Sequence, residues 1–439
     1  MRDVFAQQSE AFLAWLRSEH VEISPKVELA DLRRQHAGRG LPDIGEDEDL
    51  FNVSRNTILS QETSELAQLL PEPFADESYN TWLLTILVMI YEYQRGPQSR
   101  WAPYLTLLPE EFDTLMFWSN EELDQLQASA VRHKVGKEGA DETFRKRILP
   151  IVGGNKALFA AETLTDEDIL ALAHRMGSTM VAYAFDLERD PSQHQKQPDE
   201  EGYATDEEDE ELPKAMIPLA DMLNADATRN NARLYYGSSS VSMKALKPIQ
   251  AGEEIFNDYG PLPRADLLRR YGYITDNYKQ YDVVELSRDL LTKVLVECTG
   301  MSQDQIDARL AKYEDDLEDG YDLTWDDDST SHEHPAAFLK LIGKSLTQDV
   351  RDAVFARAIE QRLAEYPTSI DEDQTLIKEL APQLDYHRAD SKGLRRKLMA
   401  IQIRIGEKQL LVHVGYRLRR GTKRRLSSSP PTSSAKKLR

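Results

Sequence analysis

Two short segments decide the reading of this chain: Pro218-Leu219-Ala220-Asp221-Met222-Leu223-Asn224, and Glu253-Glu254-Ile255-Phe256-Asn257-Asp258-Tyr259-Gly260 with Arg269-Arg270-Tyr271-Gly272-Tyr273 soon after. The first is an apolar run that ends on an amide. The second is a strand-like stretch that ends on a phenol and a glycine. Taken singly, each has an ordinary explanation: Asn224 could cap a turn, Tyr259-Gly260 could end a strand, and Tyr271 before Gly272 could close a helix. Their surroundings are β in texture. Residues 233–245 read as two strands around Gly237-Ser238-Ser239-Ser240, and Ala251-Gly252 turns into Glu254-Ile255-Phe256.

Working outward, residues 26–32 and 50–55 alternate like strands and flank Gly38-Arg39-Gly40-Leu41, a turn whose glycines let backbone approach a ligand closely. Phe5, Phe12, Trp15 and Leu16 stand at helical spacing ahead of Ser24-Pro25, so a short amphipathic helix opens the chain. From residue 61 to about 186 the pattern is helical. Within it Thr165 precedes Asp168 and an apolar face of Ile169, Leu172, Ala173, Met176, Met180 and Tyr183, which predicts a capped helix. Residues 187–213, rich in Asp, Glu, Gln and Pro, read as a disordered loop that interrupts a domain. Residues 281–415 return to helical spacing, and no repeat of solenoid period is present.

Length and composition narrow the function. A chain of 439 residues exceeds what one core usually organises, so two domains plus appendages are expected. The longest apolar run, residues 82–91, is too short to cross a bilayer, and the first residues lack a secretory pattern, so an intracellular protein is expected. The single cysteine, Cys298, allows neither an internal disulfide nor a Cys-rich zinc cluster, and no metal site is expected. A net charge of -22 disfavours direct contact with nucleic acid and favours a basic partner. The charge is uneven: residues 199–211 hold nine Asp or Glu and no base, whereas residues 417–439 hold nine Lys or Arg and no acid.

The order of these parts resembles the SET-domain protein-lysine methyltransferases, in the branch of the Rubisco large-subunit and fungal ribosomal enzymes. Within that branch the chain resembles in particular the fungal ribosomal enzymes with an Asp-Met-Leu-Asn segment. Further similar stretches are Arg100-Trp101-Ala102-Pro103-Tyr104-Leu105, Phe117-Trp118, Tyr366-Pro367-Thr368-Ser369 and Gly406-Glu407-Lys408, so the likeness covers about residues 9–415. It implies an α+β fold: a SET-domain β fold split by a helical insertion, followed by an all-α substrate-binding domain. The expected boundaries are an N-terminal helix at 1–22, the SET domain at 23–275 with its insertion at 61–186 and acidic loop at 187–213, the helical domain at 281–415, and a basic disordered tail at 416–439. One departure is visible. Most relatives have Asn-His where this chain has Asn224-Ala225.

The resemblance implies S-adenosylmethionine as cosubstrate and Tyr259 as the central catalytic hydroxyl. Arg39, Gly40, Leu41, Tyr183, Asn224, Ala225 and Tyr271 would surround the cofactor or the lysine channel, and Trp101, Ala184 and Asp186 would face the substrate. The chemistry agrees with these residue types. A sulfonium methyl carries partial positive charge, which ringed oxygens can hold in line for attack. Lysine must attack as the neutral amine, which with a free pKa of ~10.4 costs about 4 to 5 kcal/mol at neutral pH. A poorly hydrated aromatic channel offsets part of that. The expected substrate is a basic, ribosomal protein. Lys423-Arg424-Arg425 and Lys436-Lys437-Leu438-Arg439 resemble a two-part signal for a nuclear import receptor, so nuclear enrichment with some cytoplasmic protein is expected. Three other readings remain open at this point: an inactive SET-fold interaction module, methylation of another nuclear protein, and methylation of another side chain such as histidine.

Overall fold

The apolar spacing of the first residues forms α1 (Val4–Ser18), which buries Phe12 and Leu16 completely. Phe12 and Trp15 stack on Tyr104, with ring centroids 6.0 and 6.3 Å apart. The computed structural model describes residues 4–30, 42–188, 212–325, 334–342, 346–385 and 391–428. These divide into two compact units, Met1–Thr114 with Gly136–Gly260, and Leu115–Val135 with Pro261–Arg439.

In the first unit, β1 (Glu22–Ile23) and β2 (Asp49–Ser54) follow α1. Residues 26–30, which alternate in sequence, form no strand; the edge of the sheet is taken instead by β1. Next comes α2 (Thr81–Gln94), apolar on nearly every side and accordingly buried from Leu83 to Glu92. Its one buried charge, Glu92, accepts the hydroxyls of Ser64 and Ser99, each at 2.7 Å. The helix α3 (Asp166–Tyr183) starts in the capping box its sequence predicts: Thr165 Oγ1 accepts from the Asp168 N–H, and Asp168 accepts from the Thr165 N–H.

After α3, β3 (Phe185–Asp186) pairs with β4 (Lys214–Ala215), so the acidic interruption leaves and re-enters the fold at one point. Then follow β5 (Asn224–Ala225), β6 (Ala232–Tyr236), β7 (Ser240–Ala245) and β8 (Phe256–Asn257). The main sheet has the order β1-β2-β7-β6, antiparallel throughout. Phe51, Val53, Val241, Met243 and Ala245 point inward at every second position, as a half-buried sheet requires. Separately, β5 and β8 pair in parallel, Asn224 opposite Phe256 and Ala225 opposite Asn257.

The second unit contains α4 (Arg264–Tyr271), β9 (Val284–Ser287), α5 (Arg288–Thr299), β10 (Gly320–Leu323), α6 (Gln348–Ala364), α7 (Ile370–Leu380) and α8 (Lys392–Ser428). It is helical apart from the antiparallel β9–β10 ladder, which places Tyr321 and Leu323 in its core. Residues 416–428, expected within a disordered tail, continue α8. The segment Leu115–Val135, inside the stretch read as a helical insertion, belongs to this unit: Trp118, Leu126 and Val131 pack with Leu268, Met399 and Ile403. Several of its buried polar groups are paired with one another. Asp373, fully buried, accepts from Arg404 at 2.7 Å and Lys408 at 2.6 Å, and Glu407 accepts the hydroxyls of Ser129 and Tyr366. Among the described residues, no helix is long and apolar enough to cross a membrane.

Candidate active site

The β5–β8 pairing joins two segments far apart in sequence and sets Tyr259 two residues beyond the end of β8. Tyr259 is half-buried and precedes Gly260, whose φ of +78° turns the chain and whose N–H donates to Asp258 at 3.0 Å. Asn231 locks this arrangement. Its amide is buried, accepts from the Phe256 N–H at 2.8 Å and donates to the Glu254 carbonyl at 3.0 Å. Asp226, at the end of β5, closes the turn by accepting from Thr228 and Arg229, and those hydrogen bonds lower its pKa to about 2 against the opposing effect of burial. The Arg229 guanidinium lies over the Phe256 ring, 4.5 Å from its centroid.

A cavity of about 880 Å³ opens beside this junction, lined among others by Val27, Leu219, Met222, Asn224, Glu254 and Ile255. Its size is that of a site for a nucleoside-sized molecule, and its walls are apolar except for a few placed polar groups. Asn224 and Glu254 supply two of those, with Asn224 Nδ2 donating to Glu254 Oε1 at 2.6 Å. Ala225 is buried, with its backbone paired opposite Asn257.

Behind the cavity wall lies an acidic group that sequence reading passed over. Leu219 holds a positive φ of 77°, a strained conformation for a branched side chain. Two residues on, Asp221 is buried; one carboxyl oxygen takes the hydroxyl of Tyr104, and Oδ1 is buried without a hydrogen-bond partner. Burial pushes the Asp221 pKa up to about 7, opposed by the Tyr104 hydroxyl and nearby backbone N–H groups. Such a carboxyl holds its proton up to about neutral pH in the folded state. Its stabilising contribution is therefore complete below the unfolded value near 4 and is lost as pH rises through about 7. An Asp221→Asn chain is expected to lose less melting temperature than the native chain between pH 5 and pH 8. Parallel melting curves across that range would show that Asp221 is ionised throughout.

The other residues singled out in the sequence fall in several places. Tyr183 ends α3, half-buried, with its pKa pushed up to about 12 by burial and by the charge of Asp221. Ala184 caps that helix through its N–H on the Met180 carbonyl at 2.9 Å. Asp186 is exposed on β3 and pairs with Lys214, whose ammonium lies over the Trp82 ring. Trp101 is buried away from the cavity lining and donates from Nε1 to the Thr57 carbonyl at 2.8 Å, which is a packing position. Tyr271 lies in the second unit, half-buried on α4, its pKa raised mainly by burial. Arg39, Gly40 and Leu41 lie outside the described residues. Tyr236 was not singled out, yet it is half-buried on β6 with its pKa raised by burial and by Glu188 and Asp186. In sequence it reads as one more inward residue of an alternating strand, so only the fold shows its carboxylate neighbours. Among the described residues no cluster that could hold a metal ion occurs.

Residues 41–260 match the SET domain family, and residues 263–411 match the Rubisco LSMT substrate-binding family. The chain is 36% identical to ribosomal lysine N-methyltransferase 4 of Saccharomyces cerevisiae over 309 residues, which is 67% of this chain and 61% of that protein. It is 33% identical to human N-lysine methyltransferase SETD6 over 60% of this chain and 58% of that one. The aligned part thus spans about three fifths of the length of these relatives. Its fold is similar to that of Rubisco LSMT solved with lysine and AdoHcy: TM-score 0.62 at 20% identity, covering 97% of this chain and 96% of that one.

Proposed function

We propose, from the premise that this chain belongs to the SET-domain family and carries the Rubisco LSMT substrate-binding module behind its SET domain, that it is an S-adenosylmethionine-dependent protein-lysine N-methyltransferase acting on a basic, ribosomal protein. The observation that carries this reading is the parallel β5–β8 pairing, which sets Asn224 beside Glu254 and Ile255, the residues just before the strand that leads to Tyr259, at the wall of one nucleoside-sized cavity. The cavity suits S-adenosylmethionine: apolar walls for the adenine and the Asn224 amide, held by Glu254, for its polar end. When bound, that molecule supplies an electrophilic methyl group with partial positive charge.

The remaining work falls to the chain. Tyr259 presents a hydroxyl oxygen towards the reacting centre, and no proton need leave it. Tyr183 and Tyr236, both held protonated at neutral pH, form poorly hydrated surroundings in which a lysine ammonium loses its proton more readily than in water. The surrounding oxygens then hold the neutral amine in line with the methyl group.

Charge supports a basic substrate: at -22 the chain attracts lysine-rich proteins, and the yeast relative is a ribosomal lysine methyltransferase by name. The test is to incubate the chain and labelled S-adenosylmethionine with extract from cells that lack it. Label on lysines of ribosomal proteins is the expected result, and label confined to other nuclear proteins would move the substrate assignment there. The basic stretch from residue 423 to 439 supports nuclear enrichment through an import receptor, with some protein in the cytoplasm. Truncation after Gly421 is expected to abolish that enrichment. An unchanged distribution would refute the signal.

A further inference from the structure

We infer that Glu254 is a positioning residue: its carboxylate fixes the Asn224 amide so that the amide oxygen faces the cavity, where it receives the α-ammonium of the cofactor's amino-acid end. This rests on the methyltransferase reading and deepens it. A carboxylate accepts hydrogen bonds and donates none, so the Asn224 atom 2.6 Å from Glu254 Oε1 is the amide nitrogen. The amide oxygen therefore points away from Glu254, and both residues line the cavity. Without that partner the amide could turn over and present N–H donors, which repel an ammonium.

The strand geometry makes the contact a built one. Asn231, itself buried, grips both the Glu254 carbonyl and the Phe256 N–H, and the parallel register sets Asn224 opposite Phe256. Glu254 is thereby held in reach of Asn224 by backbone contacts that its own side chain does not make. The Glu254 side chain can be altered without loosening that grip. Next to this amide in sequence Ala225 offers only a methyl group, and Glu254 supplies the orienting contact.

The experiment compares the native chain with Glu254→Ala and Glu254→Gln by calorimetric titration with two ligands. S-Adenosylhomocysteine carries the amino-acid end, and 5′-methylthioadenosine lacks it. Glu254→Ala is expected to bind S-adenosylhomocysteine roughly tenfold or more weakly, the effect of misplacing one charge-assisted hydrogen bond. Its affinity for 5′-methylthioadenosine should be unchanged, which also reports an intact cavity. Glu254→Gln keeps an oxygen that accepts from Asn224 and is expected to recover most of the loss. Equal binding of S-adenosylhomocysteine by Glu254→Ala and the native chain overturns the inference alone. So does equal weakening of both ligands, or a Glu254→Gln chain as weak as Glu254→Ala, because the carboxylate would then be a direct ligand. A native chain that binds neither molecule overturns the methyltransferase reading and this inference together.

Discussion

A Tyr259→Phe chain is expected to transfer methyl groups roughly 10²-fold more slowly than the native chain, the usual scale for removing one polar group aimed at a reacting centre. The substitution takes away one oxygen and keeps the ring. Tyr259 is half-buried just beyond β8, whose position is set by the Asn231 amide and the pairing with β5, and none of those contacts uses the phenol. Folding and affinity for S-adenosylhomocysteine should therefore stay close to native. Single-turnover rates with a basic protein substrate, beside calorimetric binding, separate the two effects. A native rate in the variant would remove Tyr259 from the chemistry.

The largest expected effect on stability comes from a methyl group in the second unit. Gly406 sits inside α8, where alanine normally stabilises a helix by about 1 kcal/mol over glycine. Here the sign reverses. A Cβ at this position would overlap Arg264 Nη2 and stand 2.8 Å from Asp282 Oδ2. Arg264 is buried and pairs with Asp282 at 2.5 Å and Asp276 at 2.6 Å, so its guanidinium can give way only by loosening those pairs. Breaking a buried pair costs about 3–5 kcal/mol, and Gly406→Ala is expected to lose stability on that scale in denaturant unfolding. A variant as stable as the native chain would mean that the guanidinium relocates freely.

Much of this architecture is legible in the residues. The Thr165 capping box, the hairpin around Gly237 and the inward alternation of Val241, Met243 and Ala245 are local patterns, and local physics is enough to form them. The strand expected from residue 26 fails because alternation alone does not supply a partner; the short β1 occupies the sheet edge beside β2. The membership of residues 115–135 in the second unit was hidden for a similar reason. Trp118, Leu126 and Val131 are apolar residues whose partners, Leu268, Met399 and Ile403, lie far along the chain.

The site divides in the same way. Asn224 and Tyr259 stand out because they end recognisable segments, and the fold joins those segments through β5 and β8. Asp221, Tyr236 and Glu254 carry no such mark. Their character comes from burial or from neighbours distant in sequence: Tyr104 for Asp221, Glu188 and Asp186 for Tyr236, Asn224 for Glu254. Trp101 was singled out by its likeness to a family stretch, and the fold buries it with its indole N–H on the Thr57 carbonyl.

The measurement that bears most directly on the whole account is transfer of labelled methyl from S-adenosylmethionine by the purified chain to proteins of a deficient extract, followed by acid hydrolysis and separation of the labelled amino acids. The account predicts label in methylated lysine, strongly reduced when Tyr259→Phe replaces the native chain. Label in another amino acid, or no labelled protein from a chain that binds S-adenosylhomocysteine, would contradict it.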